Sequence, residues 1–190
     1  MKVVAFNGSP RKNGNTAQSL QIVLEEVKAE GIEVELVNIA QEHLEPCHAC
    51  GACGRNKDRK CIYDDRLNEY VEMMAKADGI LLGSPTYFGT MSAQMKAFID
   101  RAGFVNRANG DLFKRKVGAA VAVNRRAGAI QAFSDMNYFF LIGHMIVPGS
   151  SYWNVVNALK PGEVHLDEEG VRTMKDLGKN MAWLIKKLNA

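Results

Sequence analysis

The chain has 190 residues, a length that fits one compact domain spanning residues 1–190. Apolar residues make up 47% and charged residues 24%, a balance that argues against an intrinsically disordered chain. The 24 Lys and Arg residues against 21 Asp and Glu leave a net charge of +3, which is too small to indicate nucleic-acid or membrane-surface binding.

The first half of the sequence alternates between strand and helix patterns. An apolar run at residues 3–6 predicts a strand that is buried on both faces. Apolar residues at helical spacing then predict an amphipathic helix through residues 20–27. At residues 32–37 apolar side chains alternate with glutamates, so we expect a strand at the edge of the sheet. Residues 46–61 interrupt the alternation with a cysteine-rich loop.

The alternation resumes after the cysteine-rich loop. The predicted elements are a helix from about residue 66, a buried strand at 79–83, a helix at 91–102, a buried strand at 117–123, a helix at 129–142, a fifth strand at 145–147 and a final helix at 168–188. Asp65 is the expected N-cap of the first of these helices, because its carboxylate can accept a bond from the helix N-terminus.

Strands that alternate with helices predict a parallel sheet with helices on both faces. Five strands with an early edge strand favour the flavodoxin-like order 2-1-3-4-5. We therefore expect an α/β fold, a flavodoxin-like three-layer sandwich around a five-stranded parallel sheet, with the cysteine-rich loop as an insertion. In such sheets ligands lie beyond the carboxyl ends of the strands, which makes the loops after strands one, three and four the candidate site.

Two stretches bear on the compartment. The chain begins with MKVVAFNGSP and shows no long apolar signal segment, so we expect a cytoplasmic protein. Residues 136–159 contain no Asp, Glu, Lys or Arg, but Gly, His, Pro and Ser residues interrupt them. We therefore do not expect a membrane span.

The loop after the first strand, GSPRKNGNT at residues 8–16, has the features of an anion site. Small and hydroxylated residues let backbone N–H groups approach an anion, and the dipole of the following helix favours negative charge. A P-loop would need a lysine where Asn15 stands. A plain strand-to-helix turn capped by Asn15 or Thr16 is the alternative. The candidate phosphate-binding residues are Ser9, Arg11, Asn13, Gly14, Asn15 and Thr16.

Two segments together resemble a known family. GSPRKNGNT resembles the FMN-phosphate loop of the flavodoxin-like NAD(P)H-dependent FMN reductases, and GSPTYFGTMSAQMKAFIDR at 83–101 resembles their flavin-ring loop and following helix. The resemblance implies that FMN binds here, whereas a surface turn whose aromatic residues merely pack nearby is the alternative reading of the second loop. The implied flavin-ring residues are Pro85, Thr86, Tyr87, Phe88 and Gly89.

The third loop, NRRAGAIQ at 124–131, occupies the position where that family lines the other side of the flavin. It matches the family's glycine-rich pattern only in part. The resemblance carries Asn124, Arg126 and Gly128 over as flavin contacts. Arg125 and Arg126 could equally be solvated charges at the start of a helix.

The four cysteines follow the pattern C-x2-C-x2-C-x7-C, at Cys47, Cys50, Cys53 and Cys61. Their clustering argues for a metal site and against a disulfide framework, which would spread its cysteines along a small secreted chain. Three cysteines at steps of three resemble the run in bacterial ferredoxins, whereas structural zinc sites more often pair two separate CxxC turns. We favour an iron–sulfur cluster over zinc or free thiols.

The cysteine-rich loop also resembles the iron–sulfur flavoproteins, which carry a [4Fe-4S] cluster in an insertion of this kind. The long gap before Cys61 and the absence of a proline after it depart from the ferredoxin run. The resemblance implies that the four cysteines are the cluster ligands.

The resemblance implies an FMN-dependent oxidoreductase that couples one- and two-electron steps. We expect a ferredoxin-like protein or NAD(P)H as electron donor, a small-molecule acceptor, and a homodimer or homotetramer. We assign no catalytic side chain, because the flavin carries the chemistry. The first alternative is an NAD(P)H-dependent reductase of FMN, quinones or nitro compounds with a structural or vestigial cysteine loop. The second alternative is a non-enzymatic redox sensor.

Overall fold

The computed structural model describes all 190 residues. The strands are β1 (Lys2–Asn7), β2 (Glu33–Asn38), β3 (Gly79–Tyr87), β4 (Thr90–Met91), β5 (Val117–Asn124) and β6 (Val155–Asn157). The α-helices are α1 (Asn15–Ala29), α2 (Ala52–Asn56), α3 (Leu67–Lys76), α4 (Ala93–Ala108), α5 (Ala129–Ile142) and α6 (Glu168–Leu188). Short 3₁₀ helices lie at Ile39–Gln41 and Glu163–Leu166.

Five of the strands form a parallel sheet in the order β2-β1-β3-β5-β6. The remaining strand, β4, pairs antiparallel with the carboxyl end of β3 in a hairpin. The predicted α/β fold is therefore confirmed, and β2 lies at the edge as expected. The strand order differs slightly from the prediction because β4 adds a sixth strand that the sequence pattern did not indicate.

The position predicted for the last strand is wrong. Residues 145–147 contribute only an isolated bridge between Ile146 and Val117, whereas the strand that borders β5 is Val155–Asn157. Pro148 follows the apolar run directly, and a proline cannot donate a hydrogen bond to a sheet ladder. The chain therefore leaves the sheet after one bridge and returns to it seven residues beyond Pro148.

The core consists of two apolar clusters, one on each face of the sheet. One cluster joins the sheet to α3, α4 and α5, and the other joins it to α1 and α6. Alternate residues of β1 point into opposite clusters, Val4 and Phe6 into the first and Val3 and Ala5 into the second. This arrangement explains why β1 reads as a continuous apolar run. None of the helices combines the length and the apolar character needed to cross a membrane.

Candidate functional site

The loops after β1 and β3 are held together by hydrogen bonds at the carboxyl edge of the sheet. The Gly8 N–H donates to the carbonyl oxygen of Gly83 at 2.8 Å. The Ser92 hydroxyl donates to the carbonyl oxygen of Gly8 at 2.7 Å, and the Ser92 N–H donates to Ser84 Oγ at 2.9 Å. The predicted phosphate loop and the predicted flavin-ring loop therefore form one continuous surface.

The loop after β5 reaches the same surface through Gly128. A Cβ built on Gly128 would lie 3.2 Å from Thr86 Cγ2 and 3.3 Å from Gly89 Cα, and the backbone there has a φ of +88°. Glycine is suited to this position because it accepts a positive φ and leaves room for the neighbouring loop. All three predicted loops therefore converge, as the fold class requires.

Two polar side-chain atoms at this edge are buried without a partner, Thr86 Oγ1 and Asn124 Oδ1. A buried polar atom that lacks a hydrogen bond costs about 1–3 kcal/mol. Such atoms are unusual in folded proteins, and a bound ligand that supplies the partner is one explanation. Both residues belong to the set predicted to contact the flavin ring.

Two helices begin at this edge without a side-chain cap. Helix α1 follows Gly14 and helix α5 follows Gly128, and neither has an acidic residue in its first turn. By contrast, Ser92 caps α4 and Asp167 caps α6. The first N–H groups of a helix have no partner within the helix, so the start of α1 can donate hydrogen bonds to an anion. Arg11 lies exposed in the same loop and has no acidic partner.

The side chain of Asn15 contacts the chain rather than the open edge. Its Nδ2 donates to the carbonyl oxygen of Lys160 at 2.8 Å, and its Oδ1 accepts from the N–H groups of Gly162 at 2.9 Å and Val164 at 3.4 Å. The amide thus anchors residues 160–164 to the start of α1. The side chain of Asn15 is therefore not free to bind a phosphate as the sequence predicted, but its backbone N–H remains available to an anion.

The other polar residues of the phosphate loop divide into buried and exposed groups. Ser9 is buried, donates its N–H to Asn7 Oδ1 at 3.0 Å and accepts from the Arg11 N–H at 3.2 Å. Thr16 is also buried, whereas Asn13 is exposed. Sequence reasoning missed Asn7, which shapes the loop from the end of β1. An asparagine that directly follows a buried strand and precedes glycine could have indicated that role.

The flavin-ring loop ends in an aromatic hairpin tip. Tyr87 pairs with Thr90, and between them Phe88 and Gly89 have φ values of +48° and +88°. Two successive residues with positive φ form the tight turn typical of β-hairpins, although phenylalanine rarely adopts it. The Phe88 ring is fully exposed and Tyr87 is half exposed. Pro85 and Thr86 precede the tip at the end of β3, and Arg126 is exposed in the third loop.

The four predicted cysteine ligands line one cavity of about 120 Å³. All four thiols are free. Backbone conformations with positive φ at Ala49 and Gly51 turn the chain around the cavity, and the short helix α2 then carries Cys53 back toward it. The sequence predicted the cysteine-rich loop but not this five-residue helix, because glycine and cysteine are poor helix formers.

The cavity walls place the sulfur atoms in different environments. Burial raises the pKa of the Cys53 thiol, and hydrogen bonds from the backbone N–H groups of Gly54 and Cys53 offset only part of this rise. Asn68 holds the backbone of Cys61 from both sides, accepting from its N–H at 2.8 Å and donating to its carbonyl oxygen at 3.0 Å. No three Cys, His, Asp or Glu side chains are grouped as a single metal ion would require.

A buried arginine closes the cavity from helix α4. The Arg101 Nε donates to Cys61 Sγ at 3.3 Å, and its other nitrogens contact Asp65 at 2.5 and 3.0 Å. Burial lowers the pKa of this guanidinium, but the hydrogen bonds to Asp65 and Cys61 outweigh burial and the pKa is raised overall. Arg101 therefore stays charged beside the sulfur.

Comparisons with known proteins agree with this arrangement. The sequence profile of the NADPH-dependent FMN reductases matches residues 1–160. An iron–sulfur flavoprotein of Methanocaldococcus jannaschii is 38% identical, and the alignment covers 98% of each chain. An iron–sulfur flavoprotein of Methanosarcina thermophila is 37% identical over 95% of this chain and 93% of its own.

Solved structures support the same fold. A flavodoxin from the domain Archaea superposes with a TM-score of 0.62 at 18% identity, over 98% of this chain and 99% of its own. The chain belongs to the NADPH-dependent FMN reductase family, among the relatives called iron–sulfur flavoproteins, and is a flavin-dependent oxidoreductase.

Proposed function

We propose that this oxidoreductase binds FMN at the carboxyl edge of its sheet and a [4Fe-4S] cluster in the cysteine cavity, and that it couples two-electron to one-electron transfer. The observation that carries the proposal is the presence, in one chain, of three converging flavin-type loops and of four free cysteines around one cavity. Two close relatives bear the name iron–sulfur flavoprotein, which supports the same pairing of cofactors.

The residues at the carboxyl edge fit FMN in their chemistry. The uncapped start of α1 and the cation of Arg11 would hold the phosphate, with Ser9, Asn13, Gly14, Asn15 and Thr16 shaping the loop. Thr86 and Asn124 would supply their unpaired oxygens to the polar rim of the flavin ring. Pro85, Tyr87, Phe88, Gly89, Arg126 and Gly128 would line the ring. FMN supplies the redox chemistry, and these residues bind and orient it.

The donor set of the cysteine cavity fits an iron–sulfur cluster better than a single ion. Thiolates are the usual ligands of both zinc and iron–sulfur clusters. Structural zinc sites more often pair two separate CxxC turns. Here Cys47, Cys50 and Cys53 follow at steps of three, as in bacterial ferredoxins, and Cys61 lines the same cavity. We therefore propose these four cysteines as the cluster ligands.

The partners of the reaction follow from the two cofactors. NAD(P)H would deliver two electrons to the flavin, a ferredoxin-like protein would exchange single electrons with the cluster, and a small molecule would be the final acceptor. Because all four cysteines are free, we propose the cytoplasm as the compartment, where thiols stay reduced.

Self-association is part of the same proposal. Phe104 of α4 and Tyr138, Leu141 and Ile142 of α5 are each 57–62% exposed and line a groove of about 880 Å³. A contiguous apolar surface of this kind is typical of a contact between proteins. We propose that this α4–α5 face joins copies of the chain in a dimer or tetramer.

A second candidate function keeps the flavin and makes the cysteine loop structural. It would be an NAD(P)H-dependent reductase of FMN, quinones or nitro compounds. The absence of a three-ligand metal group favours it, as does a 34% identical match over 43% of this chain to an NAD(P)H dehydrogenase (quinone) of Trichlorobacter lovleyi.

Changing three cysteines to serine separates the two functions. We expect the variant with Cys47→Ser, Cys50→Ser and Cys53→Ser to bind FMN normally but to lose electron transfer between NAD(P)H and a one-electron acceptor. Steady-state NAD(P)H oxidation with one-electron and two-electron acceptors measures the difference. The variant Asn56→Ser, an exposed change in the same loop, is the control and should behave as wild type. Full activity of the triple variant with both acceptors would favour the reductase.

A further inference from the structure

Arg101 is the only charged residue that is buried in this chain, with its side chain 1% exposed. It lies on α4, but every polar contact of its guanidinium is with the cysteine-rich loop or its flanks. The Nη1 group donates to the carbonyl oxygen of Glu45 at 3.2 Å and to Asp65 Oδ2 at 2.5 Å, Nη2 donates to Asp65 Oδ1 at 3.0 Å, and Nε donates to Cys61 Sγ at 3.3 Å. The Tyr63 ring covers the guanidinium at 5.2 Å from its centroid.

A purely structural ion pair would not require this arrangement. Burying an arginine is costly unless a carboxylate compensates its charge, and the two-point contact with Asp65 already meets that need. The Nε group is nevertheless directed at the Cys61 sulfur. A neutral thiol is a weak hydrogen-bond acceptor, whereas a thiolate is a much better one. The geometry therefore suits a Cys61 sulfur that carries negative charge.

We propose that Arg101 is a positioning residue for Cys61 and that the Arg101–Asp65 pair sets the reduction potential of the iron–sulfur cluster. This inference rests on the proposed function, because it needs the cluster in the cysteine cavity. On reduction the cluster gains one electron, and so one negative charge, from a one-electron donor or from the flavin. Hydrogen bonds to cluster sulfurs and nearby charge are known determinants of cluster potentials.

The two members of the pair act in opposite directions. The positive charge of Arg101 stabilises the extra electron, and the negative charge of Asp65 opposes it. The side chains of Arg101 and Asp65 are only 1% and 16% exposed, so water screens their charges less than it screens charges on the surface. Removing the arginine charge therefore makes the cluster harder to reduce, and removing the aspartate charge makes it easier to reduce.

The experiment is a potentiometric titration of the anaerobically purified holoprotein, followed by the EPR signal of the reduced cluster. At a fixed potential we expect Arg101→Gln to lower the ratio of reduced to oxidised cluster about tenfold, which for one electron is a shift of about 59 mV. Asp65→Asn should raise the ratio by a similar factor. Asparagine retains the oxygen that accepts the Leu67 N–H at the start of α3, so this variant should fold.

Arg107→Gln is the matched control, because it removes the same charge from the exposed face of the same helix. It should change the ratio less than twofold. Arg101→Lys keeps the charge but loses the two-point contact with Asp65, so its potential should lie between wild type and Arg101→Gln.

The outcomes separate this inference from the proposed function. A wild-type protein without iron would overturn the proposed function and, with it, the role assigned to the pair. A wild-type protein with iron, together with unchanged potentials or shifts of the same sign in Arg101→Gln and Asp65→Asn, would overturn the inference alone. Loss of iron from both variants while FMN stays bound would show that the pair only holds the loop, and would overturn its role in setting the reduction potential.

Discussion

Thr86 carries a hydroxyl group that the folded chain buries and leaves without a hydrogen bond. An unpaired buried hydroxyl lowers the stability of the FMN-free protein, and in the proposed FMN site it would contact the ring. Valine has the same shape and lacks the hydroxyl. We expect Thr86→Val to raise the free energy of unfolding of the FMN-free protein by up to about 1 kcal/mol and to raise the FMN dissociation constant about tenfold.

Urea unfolding and fluorescence titration with FMN measure these two quantities. Thr90→Val is the control, because the Thr90 hydroxyl is satisfied by Asp135 Oδ2 at 2.5 Å. That variant should lose stability instead of gaining it. A Thr86→Val protein that loses stability and still binds FMN with wild-type affinity would contradict the role assigned to the hydroxyl.

Asn15 and Arg101 show how far single residues can be predicted from the sequence. The small and polar residues at 8–16 are enough to predict a phosphate loop. They do not predict that residues 160–164 lie next to Asn15 and take up the hydrogen bonds of its side-chain amide. No local pattern indicates the role of Arg101, because its partners Cys61 and Asp65 lie 40 and 36 residues earlier in the chain. Contacts across such separations depend on tertiary packing, which local pattern does not encode.

At the scale of elements, Ser92 links the start of α4 to the phosphate loop. Its hydroxyl accepts from the Met95 N–H at 3.2 Å as a helix cap and donates to the carbonyl oxygen of Gly8 at 2.7 Å. We expect Ser92→Ala to lower the free energy of unfolding by about 1–3 kcal/mol, because a cap and a buried hydrogen bond are both lost. FMN affinity should fall as well, because the phosphate loop loses its support.

Asp167→Ala is the matched control for this change. Asp167 caps α6 through the Gly170 N–H at 2.9 Å and has no contact with the three flavin-type loops. Its loss should lower stability to a similar extent and leave FMN affinity unchanged. Urea unfolding together with FMN titration tests both variants, and equal effects on FMN affinity would argue against a specific link through Ser92.

The elements that the sequence predicted well are those with long buried patterns. Strands β1, β3 and β5 read as apolar runs because helices cover both of their faces. The sequence pattern did not predict strand β6, because it has only three residues. The apolar residues at 145–147 pack in the core but form only one isolated bridge to the sheet. Met145 is buried in the core, which explains why that stretch resembled a strand.

At the scale of the whole molecule, the apolar α4–α5 face predicts how copies of the chain associate. Leu141 is 59% exposed on this face. We expect the wild-type chain to be a dimer or tetramer in solution and Leu141→Lys to be a monomer, because a charge in an apolar contact is costly. Light scattering coupled to gel filtration measures the mass.

Leu166→Lys is the control for association, since Leu166 is 78% exposed but lies in the 3₁₀ helix at Glu163–Leu166. That variant should keep the wild-type mass. A monomeric wild-type chain, or a Leu141→Lys protein that stays oligomeric, would show that the α4–α5 face does not join copies of this chain.

Purification of the wild-type chain without oxygen shows whether FMN and the iron–sulfur cluster are bound together. Iron, zinc and flavin analysis of that protein should be combined with its absorption spectrum and with EPR after reduction. We expect a brown protein with one FMN and four irons per chain and an EPR signal from the reduced cluster. A colourless protein that contains zinc, no iron and no EPR signal on reduction would contradict this expectation.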